Sequence, residues 1–185
     1  MKSTEELKAE HEGILLGLRI LEEICGRLER GRKVEAAHLD GMAAFIKEFA
    51  DRCHHAKEET VLFAELEKAG MPREGGPVGA MLREHEAGRA CVRGLDEGIA
   101  AYRAGRPAAR LVENARTYID LLRSHIDKEN NVLYPMAERL LAPGTDKSML
   151  ERFERIEKER VGEGRHEEFH RMLEKLEKEY LEEGK

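Results

Sequence analysis

Apolar residues recur every three or four positions through four long segments of the chain, and each segment ends at a break rich in glycine or proline. That spacing places apolar side chains on one face of an α-helix. It predicts helices over about 1–30, 34–69, 78–104 and 108–142. The pattern is therefore typical of a protein built from amphipathic helices.

Short breaks between four amphipathic helices favour an all-α fold, an antiparallel up-down four-helix bundle over residues 1–142. Residues 143–185 are predicted to be a C-terminal helical extension that packs on this bundle. Within the extension, a Gly162-Glu-Gly164 hinge is expected to lead into a final charged helix.

Several residues predict where helices begin and end. The Ser-x-x-Glu motifs Ser3 to Glu6 and Ser148 to Glu151 predict capping boxes at the first helix and at the extension. Pro135 lies inside the fourth segment, and we expect it to kink that helix or to end it early, because proline lacks the N–H that a helix interior needs.

Composition and charge narrow the choice of partners and compartment. The chain has 185 residues, a formal net charge of -6 and a pI near 5.8, which argues against nucleic acid as a partner. Charged residues interrupt every apolar run, so neither a signal peptide nor a membrane-spanning segment is predicted. Cys25, Cys53 and Cys91 follow no C-x-x-C pattern, which indicates reduced thiols. We expect a soluble cytoplasmic protein whose oligomeric state the sequence leaves open.

Histidine and glutamate interrupt two of the apolar stripes. The second helix contains His54 and Glu58, and the fourth contains His125 and Glu129, each pair four residues apart. Residues i and i+4 share one face of a helix, so each pair presents an imidazole and a carboxylate together. The two pairs have the arrangement expected for two halves of one metal site.

Four histidines are predicted to lie at nearly the same depth in the bundle. His11 lies 20 residues before the first break and His54 lies 21 after it, while His85 lies 20 before the last break and His125 lies 18 after it. At about 1.5 Å per helical residue, these paired depths agree to within roughly 3 Å, and the middle connection agrees to about 6 Å. All four helices therefore bring an imidazole to one layer.

A layer of imidazoles and carboxylates in a core needs charge compensation. A single histidine on an apolar stripe is often an ordinary core residue, but here four occur at one depth beside Glu58 and Glu129. Each uncompensated buried charge would cost several kcal/mol. A metal centre supplies the compensation. Mixed nitrogen and oxygen ligands suit iron, manganese or zinc, and two carboxylates able to bridge favour two metal ions.

With these residues, the chain resembles the hemerythrin-like HHE cation-binding family over residues 1–142. The resemblance implies a non-haem di-iron centre, two iron ions with an oxo or hydroxo bridge, inside a four-helix bundle. It also implies an open site for a small diatomic gas, O2 or NO, or for peroxide. The implied bridging ligands are Glu58 and Glu129, and the implied terminal ligands are His11, His54, His85 and His125.

The chain departs from the family pattern on its third helix. Oxygen-carrying members use a His-x-x-x-His pair there, but the residues one turn either side of His85 are Met81 and Arg89. The carboxylate on the fourth helix is Glu129 at i+4 rather than an aspartate at i+5. One imidazole of the family pattern is thus missing. Glu59, next to Glu58, is expected to lie beside the site as an outer carboxylate.

A fifth imidazole is expected from one of two residues. His55 lies three residues before Glu58 and near the same face, and His166 lies in the extension. His166 and His170 also match the zinc-protease motif H-E-x-x-H, but no third ligand follows at a recognisable spacing. We interpret that helix as a charged cover over one end of the bundle. His38, near a helix start, is expected to be exposed.

The sequence supports more than one function for such a site. The leading hypothesis is a non-haem di-iron protein that binds O2 or NO, or that senses or holds iron. The alternative is a di-iron enzyme that consumes peroxide or reduces NO at the position left open by the missing imidazole. A third hypothesis is an interaction module with a structural metal. The sequence does not decide whether the protein is an enzyme.

Overall fold

Helices form all of the regular structure in the computed structural model, which describes residues 1–162 and 164–182. No strand occurs in that part of the chain, so the fold is all-α as predicted. None of the described helices is both long and apolar enough to cross a membrane. The six helices are α1 (Lys2–Glu29), α2 (36–68), α3 (Pro77–Arg103), α4 (109–140), α5 (Thr145–Arg160) and α6 (165–182).

Helices α2 and α4 contain π-helical segments. In α2 the backbone is π-helical over Ile46–His55 and again over Glu58–Leu62, and in α4 it is π-helical over Glu129–Leu133. A π-helical turn closes with an i→i+5 hydrogen bond, so it contains one more residue than an α-helical turn. Such segments are rare and are frequent at functional sites. Here they contain five of the histidine and glutamate residues discussed above: His54, His55, Glu58, Glu59 and Glu129.

A polar layer separates the core into two apolar clusters. Helix α1 contacts α2 and α4, and α3 also contacts α2 and α4. In α1 the chain passes from Leu7 in the smaller cluster to Ile14 in the larger one, and α3 follows the same order. In α2 the order is reversed, from Ala50 in the larger cluster to Val61 in the smaller one, and α4 follows α2. Each helix crosses the polar layer between its two apolar stretches.

The two helices of the extension cover both clusters. Phe153 of α5 is fully buried in the smaller cluster, and Phe169 of α6 is buried in the larger one. Both helices contact α1, and His38 of α2 is held by the hydroxyl of Tyr180 at 2.9 Å. The prediction that His38 is exposed is therefore wrong, because α6 packs over it. The predicted hinge corresponds to Gly162 and Gly164, which both have positive φ angles, while Glu163 lies outside the described residues.

The predicted capping boxes are also wrong. Helix α1 begins at Lys2 and α5 begins at Thr145, so Ser3 and Ser148 lie inside the first turns and not at the N-cap position that the motif requires. The side chain of Asp146 instead accepts the backbone N–H groups of Lys2 and Ser3, both at 3.0 Å. The Ser3 hydroxyl donates to the same carboxylate at 2.6 Å. A residue of α5 thus satisfies the free amides of α1.

Pro135 does not end α4, which continues to Leu140. It is the second residue after the π-helical turn, where the backbone returns to α-helical geometry. Val132, three residues after Glu129, is 51% exposed, and Leu133, four residues after it, is buried.

Candidate metal centre

The structure brings together all six residues that the sequence predicted as ligands. Each of them is at most 1% exposed, and they lie in the polar layer on four different helices. His55, one of the two candidates for a fifth imidazole, joins them and is 3% exposed. Both histidines of the His54-His55 pair are buried in the layer, at the end of a π-helical segment. The six are His11 of α1, His54 and Glu58 of α2, His85 of α3, and His125 and Glu129 of α4.

These residues form two groups with the geometry of metal sites. In each group four side chains offer one ligand atom apiece, and the four atoms all lie within 4.8 Å of one another. Glu58 belongs to both groups. Its Oε2 atom lies 3.5 Å from His85 Nε2 on one side and 3.7 Å from His54 Nε2 on the other. The first group is His55, Glu58, His85 and His125, and the second is His11, His54, Glu58 and Glu129.

Glu129 lies between the two groups as well. Its Oε2 atom is 3.2 Å from His125 Nε2 in the first group and 3.3 Å from His11 Nε2 in the second. Two carboxylates, one from α2 and one from α4, therefore contact imidazoles of both groups. This is the arrangement that two bridging carboxylates require.

A fixed hydrogen bond orients each of the five imidazoles through its Nδ1 atom. A ring whose Nδ1–H donates outward presents the lone pair of Nε2 to the layer, which is the tautomer that a metal ligand needs. Three of the acceptors are glutamates, one is an aspartate and one is an asparagine. The pairs are His11 with Asn130 at 2.9 Å, His54 with Glu10 at 2.8 Å, His55 with Asp51 at 3.3 Å, His85 with Glu59 at 2.7 Å, and His125 with Glu84 at 2.9 Å.

Sequence reasoning foresaw Glu59 but missed the other four acceptors. The sequence did contain a signal for these acceptors. Most of them are adjacent in the chain to one candidate ligand, and they hold an imidazole that belongs to a different helix. Glu10 precedes His11 yet holds His54, and Glu84 precedes His85 yet holds His125. Asn130 likewise follows Glu129 and holds His11. A polar residue next to each ligand was therefore the observable pattern.

Arg89 connects two of these acceptors. Its Nε atom donates to Asp51 at 2.8 Å and one of its terminal nitrogens donates to Glu59 at 2.7 Å. Asp51 holds His55 and Glu59 holds His85, so one guanidinium fixes the supports of two imidazoles. Arg89 is one of the two residues, with Met81, that lie one turn from His85, where the sequence comparison above expected a second histidine. Here the position has a supporting role.

Tyr134 is a further residue of the site that the ligand pattern did not predict. Its ring is fully buried and its hydroxyl donates to Glu58 Oε1 at 2.6 Å. The same hydroxyl lies 3.4 Å from His11 Nε2, and the two rings are stacked. Burial and the nearby Glu58 and Glu129 carboxylates raise the pKa of Tyr134 well above its ordinary value, so the hydroxyl keeps its proton.

Unpaired polar atoms test whether the layer fits a cation. Five buried side-chain atoms have no hydrogen-bond partner among the described residues, and all five belong to the proposed ligands. A buried polar atom without a partner costs about 1–3 kcal/mol, and more when the group is charged. A cation in the layer would satisfy all five. They are Nε2 of His54, Nε2 of His55, Oε2 of Glu58, and both carboxylate oxygens of Glu129.

The charges in the layer are strongly coupled. Burial raises the pKa of Glu129, but His125 and His11 outweigh burial and hold that pKa well below its usual range. Burial lowers the pKa of His125, but Glu129 and other carboxylates outweigh it and raise the pKa to about 10. Burial and neighbouring His85 lower the pKa of His55, so this ring is neutral. A metal ion and protons therefore compete for the same ligand atoms.

His166, the other candidate for a fifth imidazole, lies outside this layer. Its Nε2 atom is 3.4 Å from Cys53 Sγ, and its Nδ1 atom is 3.4 Å from Glu157. Burial raises the pKa of the Cys53 thiol to about 12, as expected for a packed cysteine without thiolate character. His170 is exposed and joins no group with His166, so the H-E-x-x-H match is not a metal site in the described part of the chain.

Comparisons with known proteins agree with this geometry. The family described as hemerythrin HHE cation binding domain matches residues 2–137. Uncharacterized proteins from Mycobacterium bovis and Mycobacterium tuberculosis are 30% identical over 162 residues, which is 86% of this chain and 62% of each relative. The chain thus spans less than two thirds of the length of these relatives. No solved structure gives a significant match. The chain therefore belongs to the hemerythrin HHE cation-binding family.

Proposed function

We propose that the polar layer binds two iron ions with an oxo or hydroxo bridge, and that Glu58 and Glu129 also bridge them. The observation that carries this proposal is that Glu58 belongs to both four-residue groups while its Oε2 atom has no hydrogen-bond partner among the described residues. Two ligand groups that share one carboxylate fit two ions better than one. The proposed terminal ligands are His55, His85 and His125 for one ion, and His11 and His54 for the other.

We also propose that α1 to α4 form an antiparallel four-helix bundle around these ions. Support comes from the opposite order in which α1 and α3, compared with α2 and α4, pass through the two apolar clusters. On this proposal residues 1–142 form the metal-binding unit and residues 143–185 cover it. The three free cysteines favour a reducing compartment such as the cytoplasm.

The proposed activity is binding of O2 or NO, or the sensing or holding of iron. Iron in such a centre supplies redox chemistry toward O2, NO and peroxide, while manganese or zinc would occupy the same ligands. Five imidazoles and two carboxylates offer nitrogen and oxygen donors without a thiolate, which suits these ions. Hydrogen-bonded acceptors behind every imidazole hold the ligands rigidly, as stable metal retention requires.

A second candidate is an enzyme that consumes peroxide or reduces NO. Tyr134 favours it, because a buried hydroxyl that holds its proton lies 2.6 Å from Glu58 inside the centre. A proton donor at this place is useful for turnover and unnecessary for storage of iron. Peroxide or NO consumption by iron-loaded protein, well above that of free iron, would favour the enzyme, especially if Tyr134→Phe abolishes it. Reversible binding without turnover would favour the carrier or sensor.

Iron analysis and an optical spectrum of the purified protein test the leading proposal. We expect about two irons per chain in the wild type and a loss of both in Glu58→Ala, because both ligand groups lose a member. Glu12→Ala is the matched control, since Glu12 is an exposed carboxylate next to His11. Retention of two irons in Glu58→Ala would contradict the bridging role. One iron in the wild type would contradict the two-iron site.

A further inference from the structure

A cavity of about 250 Å³ lies between α2 and α3 beside the metal centre. Its apolar part consists of Ile46, Gly88, Val92 and the ring of Tyr118. The volume is several times the roughly 30 Å³ that one water molecule occupies in the liquid, so a diatomic molecule fits easily. The polar residues of the lining are Lys47, Asp51, His55, Arg89, Arg93 and Asp96.

Most charged groups of the lining already have partners within the lining. Lys47 Nζ contacts Asp96 at 2.9 Å, and Arg89 Nε donates to Asp51 at 2.8 Å. Each pair largely cancels its own charge. The cavity therefore presents mainly its apolar wall to a molecule that enters it.

Tyr118 offers one polar group inside this apolar wall. The residue is 2% exposed, and its hydroxyl has no hydrogen-bond partner among the described residues. An apolar wall with a few polar groups at fixed positions is typical of a small-ligand pocket.

His55 connects the cavity to the metal centre. It lines the cavity, its Nδ1 atom bonds to Asp51, and its unpaired Nε2 atom belongs to the first ligand group. The His55 ring also stacks on His85, with 3.9 Å between the ring centroids. One imidazole thus separates the cavity from the proposed ion.

The larger cavity on the other side of α2 has a different chemistry. It measures about 830 Å³, and its lining combines apolar residues such as Phe49 and Leu150 with many charged ones, among them Glu6, Glu10 and Glu157. These three carboxylates surround the fully buried ammonium group of Lys57, at 2.9, 2.5 and 3.4 Å. An ion cluster of this kind forms a poor path for an apolar molecule, because each charge would lose its partners or solvent as the molecule passed.

We propose that the cavity between α2 and α3 admits a small apolar ligand, the class to which O2 and NO belong, and that the ligand reaches the metal centre past His55. This inference rests on the proposed function, because the metal centre is where the ligand is expected to bind. It deepens that function, because apolar walls favour a dissolved gas over polar hydrogen peroxide.

Xenon binding tests the cavity without any metal. Crystals of metal-free protein under xenon pressure should show a xenon atom against Val92 and Tyr118, because xenon binds to apolar cavity walls. Val92→Phe fills this space and should remove that xenon atom. Absence of xenon from the cavity of the wild type would overturn the proposal, whatever the iron content of the loaded protein.

Stopped-flow binding of NO to the iron-loaded protein tests the route. Val92→Phe should slow association about tenfold, equivalent to about 1.4 kcal/mol of added barrier, while the iron spectrum before mixing is unchanged. Gly88→Ala is a milder second variant, since its new Cβ would meet Leu122 and Tyr118 at 3.6 Å, an ordinary contact distance. It should slow NO association to a smaller extent.

Ala9→Phe is the matched control, because it adds the same ring to the larger cavity on the other side of α2. It should leave the NO association rate unchanged. Slower association in Ala9→Phe but not in Val92→Phe would overturn the proposal in favour of the charged route. Two irons per chain with normal NO kinetics in Val92→Phe would refute the route alone, whereas failure of the wild type to bind two irons would refute the proposed function.

Discussion

Glu10 is adjacent to His11 in the chain, but its carboxylate accepts the Nδ1–H of His54 on another helix at 2.8 Å. Ligand and support therefore belong to different helices. The same carboxylate contacts the buried ammonium of Lys57 at 2.5 Å. Burial raises the pKa of Glu10, but His54 and Lys57 outweigh it and lower that pKa, so the support is ionised. Metal binding and the packing of α1 on α2 are thereby coupled.

Glu10→Ala should weaken metal binding about 10- to 100-fold, because His54 loses the group that fixes its tautomer and orientation. Competition with a coloured chelator measures this change. Glu6→Ala is a sharp control, since Glu6 contacts the same Lys57 ammonium at 2.9 Å and holds no imidazole. Equal losses in both variants would mean that Lys57 pairing, and not support of His54, is what matters.

Glu129→Ala should reduce bound iron from about two per chain to one or none, because Glu129 contacts imidazoles of both ligand groups. Metal analysis after anaerobic loading gives the count. Asp127→Ala removes an exposed carboxylate from the same helix and should retain both ions. Two tightly held irons in Glu129→Ala would show that Glu58 alone bridges.

Arg89→Lys should lower metal affinity by less than removal of a ligand but measurably, on the order of tenfold. Lysine keeps the charge but has a single ammonium group, which cannot replace the guanidinium fork between Asp51 and Glu59. Chelator competition is again the measurement, with the exposed Arg93→Lys as control. Unchanged affinity in Arg89→Lys would show that the two carboxylates support their imidazoles without help.

His55→Ala should change the optical spectrum of the iron-loaded protein and lower the affinity for one of the two ions, because the first ligand group loses an imidazole. His166→Ala should leave the spectrum unchanged, since His166 contacts Cys53 and Glu157 outside the layer. The two substitutions remove the same side chain, so each serves as the control for the other. A spectral shift in His166→Ala alone would place the fifth imidazole in the extension.

Asp146→Ala should destabilise the protein by about 0.5–2 kcal/mol, the usual cost of a lost N-terminal cap. Partial burial raises the pKa of Asp146, but hydrogen bonds from the Ser3 hydroxyl and from the amides of Ser3 and Lys2 lower it below 3.8. The stabilisation is therefore present above the ordinary pKa and is lost as the pH falls through the lowered one.

Urea unfolding of wild type and Asp146→Ala at several pH values measures this difference. The two curves should converge at acid pH. Ser148→Ala is the control, because Ser148 is exposed in the first turn of α5 and caps nothing. A stability loss in Ser148→Ala as large as that in Asp146→Ala would restore the capping box that the sequence predicted.

The sequence by itself determined the helices and predicted the layer of histidine and glutamate residues. The i and i+4 spacing of His54 with Glu58, and of His125 with Glu129, follows from local helical geometry, which depends on neighbouring residues alone. The similar depths of His11 and His54, and of His85 and His125, followed from counting residues to the breaks at a constant rise. Local periodicity is strong information, because burial of one apolar face fixes which residues point inward.

Only the tertiary structure placed His55 in the polar layer and His166 outside it, because their positions depend on how α6 packs on α1 and α2. Tertiary packing also left Val132 exposed and Leu133 buried, although both lie within about one helical turn of Glu129. The sequence also did not reveal which residues hold the imidazoles, since Glu10 and Glu84 accept hydrogen bonds from histidines of other helices. Contacts between distant segments depend on packing of the whole core, so the chain pattern specifies the candidate ligands and the fold specifies which residues hold them in place.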